Sequence, residues 1–236
     1  MRQGGVCVKM NKHRKNILIA IDGPAGAGKS TIAKLLAKKL GIDYMDTGAM
    51  YRAITYKFIN NKIDLDNVED MVNILKNTDI NYENGSIFLD GKKMDKYIRT
   101  EEINENVSKV SGYGFVREKL VQIQRNLSED KSFVLDGRDI GTVVLPNADF
   151  KIFLTATAEE RAKRRFEQDK GKSTLTYEQT LNEIKKRDEY DSTRDISPLR
   201  KSEDAFEVDS TKLSVEQTAD LIFSIIEGKL LNFICF

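Results

Sequence analysis

Apolar positions along this chain fall into two alternating rhythms. Short apolar-centred runs occur at residues 16–22, 43–46, 133–136, 149–154 and 205–209. Continuous runs of this kind, rich in Ile, Val, Leu and Phe, predict strands buried on both faces. Between them, apolar residues recur three and four positions apart. Ile32, Leu35, Leu36 and Leu40 form the first such series, and Gly41 supplies its stop. A second lies in about 48–60, with Tyr51, Ile54, Thr55, Phe58 and Ile59. A third spans 66–77 through Val68, Met71, Val72 and Leu75, and a fourth spans 115–126 through Val116, Leu120, Ile123 and Leu127. Two charged helices are predicted at 158–168 and 177–190, joined by Asp169-Lys170-Gly171-Lys172-Ser173, which reads as a mobile loop. A last helix starts at Ser214 with Gln217 three residues on, a capping box, and turns Val215, Ala219, Ile222 and Ile226 inward.

Strands alternating with helices predict an α/β fold: a parallel sheet of these five strands, flanked by helices. One stretch breaks the alternation. Ile80-Asn81-Tyr82, Ser86-Ile87-Phe88-Leu89 and Met94 are separated by Asn84-Gly85 and Asp90-Gly91, both hairpin-turn pairs. A small antiparallel insertion is therefore expected at about 78–98. The apolar end, Leu230 to Phe236, is too short to span a bilayer and is expected to pack on the body.

The first strand runs directly into Gly23, Pro24, Ala25, Gly26, Ala27, Gly28, Lys29 and Ser30, a match to G-x-x-x-x-G-K-[ST]. Strand, glycine-rich loop and helix form the context in which this pattern binds phosphates. Glycines let successive N–H groups turn toward an anion, and the helix N-terminus adds partial positive charge. Lys29 is expected to reach the β- and γ-phosphates of a nucleoside triphosphate, and the Ser30 hydroxyl to ligate Mg²⁺.

Composition narrows the remaining possibilities. A length of 236 residues allows one large or two small domains, and the net charge of +1 implies no general polyanion-binding field, hence no nucleic-acid partner. The two cysteines, Cys7 and Cys235, have no metal-ligand spacing, and His13 is the only histidine. Histidine-based acid–base catalysis and histidine metal sites are thereby excluded, and a reducing cytoplasmic setting is expected. No run is long enough for a membrane span. Residues 1–15 are basic but lack a signal-peptide core, so they read as a disordered or extra tail, with Met10 as an alternative start and 16–236 as the functional domain. A monomer is the default expectation.

A phosphate loop alone does not separate switch GTPases, motor ATPases and small-molecule kinases. Asn61-Lys62-Ile63-Asp64 fits the guanine-reading N-K-x-D, but the chain contains no D-x-x-G and the tetrapeptide comes too early, so it reads as a polar turn. The arginines point elsewhere. Arg52, Arg99, Arg117 and Arg138 precede a dense group at Arg161, Arg164, Arg165, Arg187 and Arg194. Phosphoryl transfer to a second phosphate must neutralise two anions, and arginine's permanent, forked charge suits that task. Arg138 follows the run Phe133-Val134-Leu135-Asp136, at the carboxyl end of a strand, where open α/β sheets bind ligands. Asp136 fits a magnesium-holding carboxylate acting through water.

Several longer runs carry a resemblance. They are Ile21 through Thr31, Asp46-Thr47-Gly48-Ala49-Met50-Tyr51-Arg52, Asp136-Gly137-Arg138-Asp139-Ile140-Gly141-Thr142, Lys151 to Leu154 with Glu159-Glu160-Arg161, and Glu183 through Arg194. In order and spacing, from residue 17 to about 228, the chain resembles the bacterial cytidylate kinases, a nucleoside monophosphate kinase family of phosphate-loop proteins. The resemblance implies Mg²⁺-dependent transfer of the ATP γ-phosphoryl group to CMP or dCMP. It implies a core, a monophosphate-binding part at about 47–115 that contains the β insertion, and a helical lid at about 158–175. By similarity, Gly23 to Thr31 would bind ATP. Thr47, Arg52, Arg138 and Arg194 would hold the acceptor phosphate, while Ser108, Arg117 and Asp139 would surround the cytosine. Asp191 would reach the ribose, and Arg161, Arg165 and Arg187 would close over the transferring group. A carboxylate such as Asp139 accepts from the cytosine N4 amino group and repels the O4 of uracil. Alternatives left open by the residues are another phosphate-loop kinase, with UMP, AMP or a non-nucleotide alcohol as acceptor, and a nucleotide-binding switch.

Overall fold

The computed structural model describes residues 16–83, 85–171 and 174–234, with side chains to residue 228. The expectations for the N-terminal tail, for packing of the apolar end, for Asn84 and for the Lys172-Ser173 part of the charged loop lie outside these residues.

The five strand runs form one parallel sheet. Strand β1 (Leu18–Asp22) lies at its centre, between β6 (Phe133–Asp136) and β7 (Phe150–Thr155). Strand β2 (Asp43–Asp46) pairs outside β6, and β8 (Phe206–Asp209) outside β7. The order is β2-β6-β1-β7-β8, so the chain after β1 winds first to one side and then to the other. Ligands bind beyond the carboxyl ends of strands at such a reversal. Register sharpens the point: Ile21 pairs with Asp136, and Asp46 with Asp136, which brings the acidic strand ends to one edge.

Alternation along the central strands divides the core. Ala20, Leu135 and Met45 face a layer built from α2 (Thr47–Asn60), α3 (Val68–Lys76), α4 (Glu101–Gly112) and α5 (Gly114–Leu127). Ile19, Ile21 and Val134 face α1 (Lys29–Leu40) and α8 (Val215–Ile234) on the other side. Burying such side chains from both faces stabilises the sheet by roughly 1.5–3 kcal/mol each. The insertion is a three-stranded antiparallel sheet, β3 (Ile80–Glu83), β4 (Ser86–Leu89) and β5 (Lys92–Lys93). Its Ile80, Tyr82, Ile87 and Leu89 join the α2 side of the core.

Caps set the helix ends. Asp46 accepts from the Ala49 N–H at 2.9 Å and starts α2 directly at the end of β2. The Ser214–Gln217 capping box forms as expected, with bonds of 2.9 and 3.1 Å, and Thr176–Gln179 makes a second one at the start of α7 (Tyr177–Thr193). Helix α6 (Ala158–Gln168) matches its predicted bounds. Helix α4 has no counterpart in the predicted elements, because only Ile103, Val107 and Val110 mark its buried face among polar residues. A π-helical turn at Ile140–Val144 also goes unpredicted. No helix among the described residues is long and apolar enough to cross a membrane.

Gly23 joins β1 to the phosphate loop in a conformation open to glycine alone. Its φ is +148°, and a Cβ there would lie 2.0 Å from the Leu154 carbonyl oxygen. The clash is with backbone, which cannot swing away. Gly23→Ala is therefore expected to destabilise the fold by roughly 3 kcal/mol or more. A thermal melt should show a fall of roughly 6–12 °C for a chain of this size. An unchanged melting temperature would contradict the close approach of loop and β7.

Candidate active site

The phosphate loop crosses the gap between β1 and α1, with Gly26 and Gly28 both at positive φ (+75° and +87°). Its Ala25 peptide is gripped from both sides. The Ala25 N–H donates to Asp188 Oδ1 at 3.3 Å, and the Ala25 carbonyl accepts from the Arg161 guanidinium at 2.9 Å. Arg161 closes the arrangement with bonds to Asp188 Oδ2 at 2.6 Å and to the Ala156 carbonyl at 2.8 Å. Arg161 is thus placed differently from the sequence expectation. It is buried behind the loop and bonded to backbone and Asp188. It braces the loop against α6 and α7 and is not among the residues lining the cleft.

At the start of α1, Lys29 is buried and donates to the Pro24 carbonyl at 2.8 Å. Ser30 Oγ donates to Asp136 Oδ2 at 2.8 Å, and the Tyr44 hydroxyl to Asp136 Oδ1, also at 2.8 Å. Burial, and next the nearby Asp46, push the Asp136 carboxyl up to about 6. A cation would relieve that cost. Serine hydroxyl and carboxylate are the hard oxygen donors that Mg²⁺ takes, usually few in number with water and substrate phosphates filling the rest. The residues therefore fit Mg²⁺.

Across from the loop lies a cluster of arginines. Arg138 donates through Nε to Asp191 Oδ2 at 2.8 Å, while Arg187 and Arg194 stand 3.9 Å from the same carboxylate. Burial works against the Asp191 charge, yet these arginines hold its carboxyl below the usual range. Arg194 also donates to the Ser197 carbonyl at 2.8 and 2.6 Å. Arg52 is bonded to Asn104 Oδ1, and Thr47 Oγ1 donates to the Asp136 carbonyl at 2.7 Å. Arg165 reaches Asp169 at 2.5 Å from the α6 side.

Positive charge is in excess here. Burial first, then Arg138, pushes Arg187 down to about 9, and Arg187 Nε has no hydrogen-bond partner. Burial and Arg99 push Arg52 down to about 10. Lys29 is lowered by burial and by Arg138 as well. Buried cations that depress one another's pKa favour the arrival of anions in the cleft.

The far end of the cleft differs. Arg117 and Asp139 form a buried ion pair, and Arg117 also donates to the Ser111 carbonyl at 3.1 Å. Its guanidinium lies 5.3 Å from the Tyr51 ring centroid. The Tyr51 hydroxyl is buried without a partner. Ser108 is half-buried on α4 and lines the same space. From Lys29 and Ser30 to Arg117 and Asp139 the cleft is continuous, with a volume of about 1600 Å³.

This geometry places the predicted residues along one cleft, apart from Gly23 and Pro24 at the start of the loop and Arg161 behind it. It also adds Asp22, Tyr44, Tyr51, Asn104 and Asp188, which sequence reasoning had assigned no role. Tyr51, Asp22 and Asp188 all stand inside the longer runs that carry the resemblance. Nothing in the local pattern marked Asn104, because α4 itself was missed.

Residues 19–228 match the model of the cytidylate kinase family. The chain belongs to that family. It is 53% identical over 216 residues to the cytidylate kinase of Caldicellulosiruptor saccharolyticus, covering 89% of this chain and 96% of the relative. Against the cytidylate kinase of Bacillus subtilis it is 49% identical over 220 residues, covering 91% and 98%. The cytidylate kinase of Clostridioides difficile is 47% identical over 211 residues, at 89% and 97% coverage. A crystal structure of an uncharacterized protein from Eubacterium ventriosum superimposes with a TM-score of 0.51 at 17% identity, covering 91% of this chain and 99% of that one, a likeness of fold. Cytidylate kinase membership thus spans the sheet, the loop and every cleft residue described above.

Proposed function

We infer that this chain transfers the γ-phosphoryl group of ATP to CMP and dCMP, giving ADP with CDP or dCDP. The observation that supports it best is the pairing of two ends in one cleft: a surplus of buried cations beside the phosphate loop, and the Arg117–Asp139 pair beyond them.

In this reading the loop from Gly23 to Thr31 cradles the ATP phosphates with its N–H groups, and Lys29 meets the β- and γ-phosphates. Ser30, and Asp136 through water, would hold Mg²⁺, which when bound supplies charge neutralisation at the β- and γ-oxygens. Thr47, Arg52, Arg138 and Arg194 bind the monophosphate. Asp191, already held by three arginines, meets the ribose. The acceptor oxygen is an anion, so no general base is required, consistent with a chain holding one histidine. Arg165 and Arg187 meet the transferring group from the 158–175 lid and α7, and closure keeps water out of the cleft. Residues 47–115, with the β insertion, form the monophosphate-binding part. Incubation with Mg²⁺-ATP and CMP, followed by phosphorus NMR, should show ADP and CDP rising together. ADP and free phosphate without CDP would overturn the reading.

Base choice rests on Asp139. Its carboxylate, oriented by Arg117, accepts from the cytosine amino group and faces the uracil O4 with like partial charge. Asp139→Asn is expected to shrink the CMP-over-UMP ratio of kcat/KM by roughly 10–100-fold. An unchanged ratio would remove Asp139 from base reading.

A further inference from the structure

Asp22 ends β1, immediately before the glycine that opens the phosphate loop, and the transfer mechanism above gives it no task. It is buried, and both its oxygens are engaged by one turn of distant chain. Oδ1 accepts from the Ile140 N–H and Oδ2 from the Gly141 N–H, each at 2.7 Å. Three residues earlier, the Gly137 N–H donates to the Ile21 carbonyl at 3.0 Å. The segment between these anchors holds Arg138 and Asp139. Both acceptor-side residues therefore hang on a short span tied at each end to β1, the strand that carries the phosphate loop.

We propose that Asp22 is a positioning residue that fixes Arg138 and Asp139 relative to the phosphate loop, and so aligns the monophosphate with the ATP γ-phosphate. Two charge-assisted bonds to consecutive N–H groups hold a turn more stiffly than neutral ones. In-line transfer is sensitive to such placement, with an error of about 1 Å costing about 10²-fold. The fit around the turn is close: a Cβ on Gly141 would lie 3.3 Å from Asp22 Oδ2 and 3.2 Å from the Lys151 Cδ.

The inference rests on the phosphoryl-transfer reading, and its test is a comparison of variant with parent. Asp22→Asn keeps the shape, but its amide turns an N–H toward one backbone N–H. KM for CMP is expected to rise about tenfold and kcat to fall at least about tenfold. KM for ATP should stay within threefold, and the CMP-over-UMP preference should narrow. A role confined to stability would lower the melting temperature and leave these ratios at parental values, measured below the transition; that result would overturn the proposal. Gly141→Ala keeps the carboxylate and crowds the same turn, so it serves if Asp22→Asn does not fold. It should shift KM for CMP about threefold in the same direction, and a parental KM for CMP would count against the proposal. If the parent prefers another monophosphate, the function reading fails, and the same ratios read with that acceptor still decide the role of Asp22.

Discussion

Replacing Lys29 with alanine is expected to lower kcat by about 10³-fold or more while leaving the fold intact. The magnitude follows from charge. In the proposed reaction a buried ammonium at the loop would meet the oxygens on which negative charge shifts during transfer, and losing one such group costs on the order of 4 kcal/mol of transition-state stabilisation. Stability should move little. Lys29 bonds within the chain to one carbonyl, that of Pro24, and its pKa is lowered by burial and by Arg138. A lowered lysine pKa means that the folded state disfavours the charged form present near neutral pH, so deleting the side chain removes a cost along with a bond. The melting temperature should accordingly stay level or rise. Steady-state ADP formation together with a thermal melt checks both halves, and turnover within tenfold of the parent would remove Lys29 from the reaction.

Arg138→Ala should have the next largest effect, a fall in kcat/KM for CMP of about 10²–10³-fold, with KM for ATP nearly unchanged. Arg138 follows Gly137 at the end of β6, half-buried and paired with Asp191, where its fork can meet the acceptor phosphate. Its loss does not orphan Asp191, because Arg187 and Arg194 remain 3.9 Å away. Folding should therefore survive, and the defect should appear on the acceptor side. Arg138→Lys should recover less than about a tenth of the lost activity, since an ammonium cannot reproduce the two-pronged contact. Equal losses toward ATP and CMP would contradict an acceptor-side position.

The parts of this molecule that the sequence made legible share a physical cause. Strands buried on both faces need unbroken apolar runs, so β1, β6 and β7 stood out, and a loop that wraps phosphate needs glycines at fixed intervals. Hairpin pairs such as Asp90-Gly91 marked the insertion because few other residues tolerate that turn; Asp90 itself has φ +48°. Helix α4 stayed hidden because a helix covering one edge of a core needs only Ile103, Val107 and Val110, too few to show a period. Arg161 illustrates a different limit. The resemblance placed it over the transferring group, whereas its guanidinium is held by the Ala25 and Ala156 carbonyls and by Asp188. Which of several neighbouring arginines faces the cleft depends on helix rotation against α7, and spacing along one helix does not encode that. Asp22 and Asp188 act on backbone N–H groups more than a hundred residues away, so no local motif can announce their partners.

Acceptor selectivity tests the central claim most directly. ADP production should be followed with Mg²⁺-ATP and CMP, dCMP, UMP, AMP or GMP in parallel. With Asp139 and Arg117 reading the base as proposed, activity is expected to be concentrated on CMP and dCMP. Preference for a purine monophosphate, or ADP release indifferent to the acceptor, would contradict it.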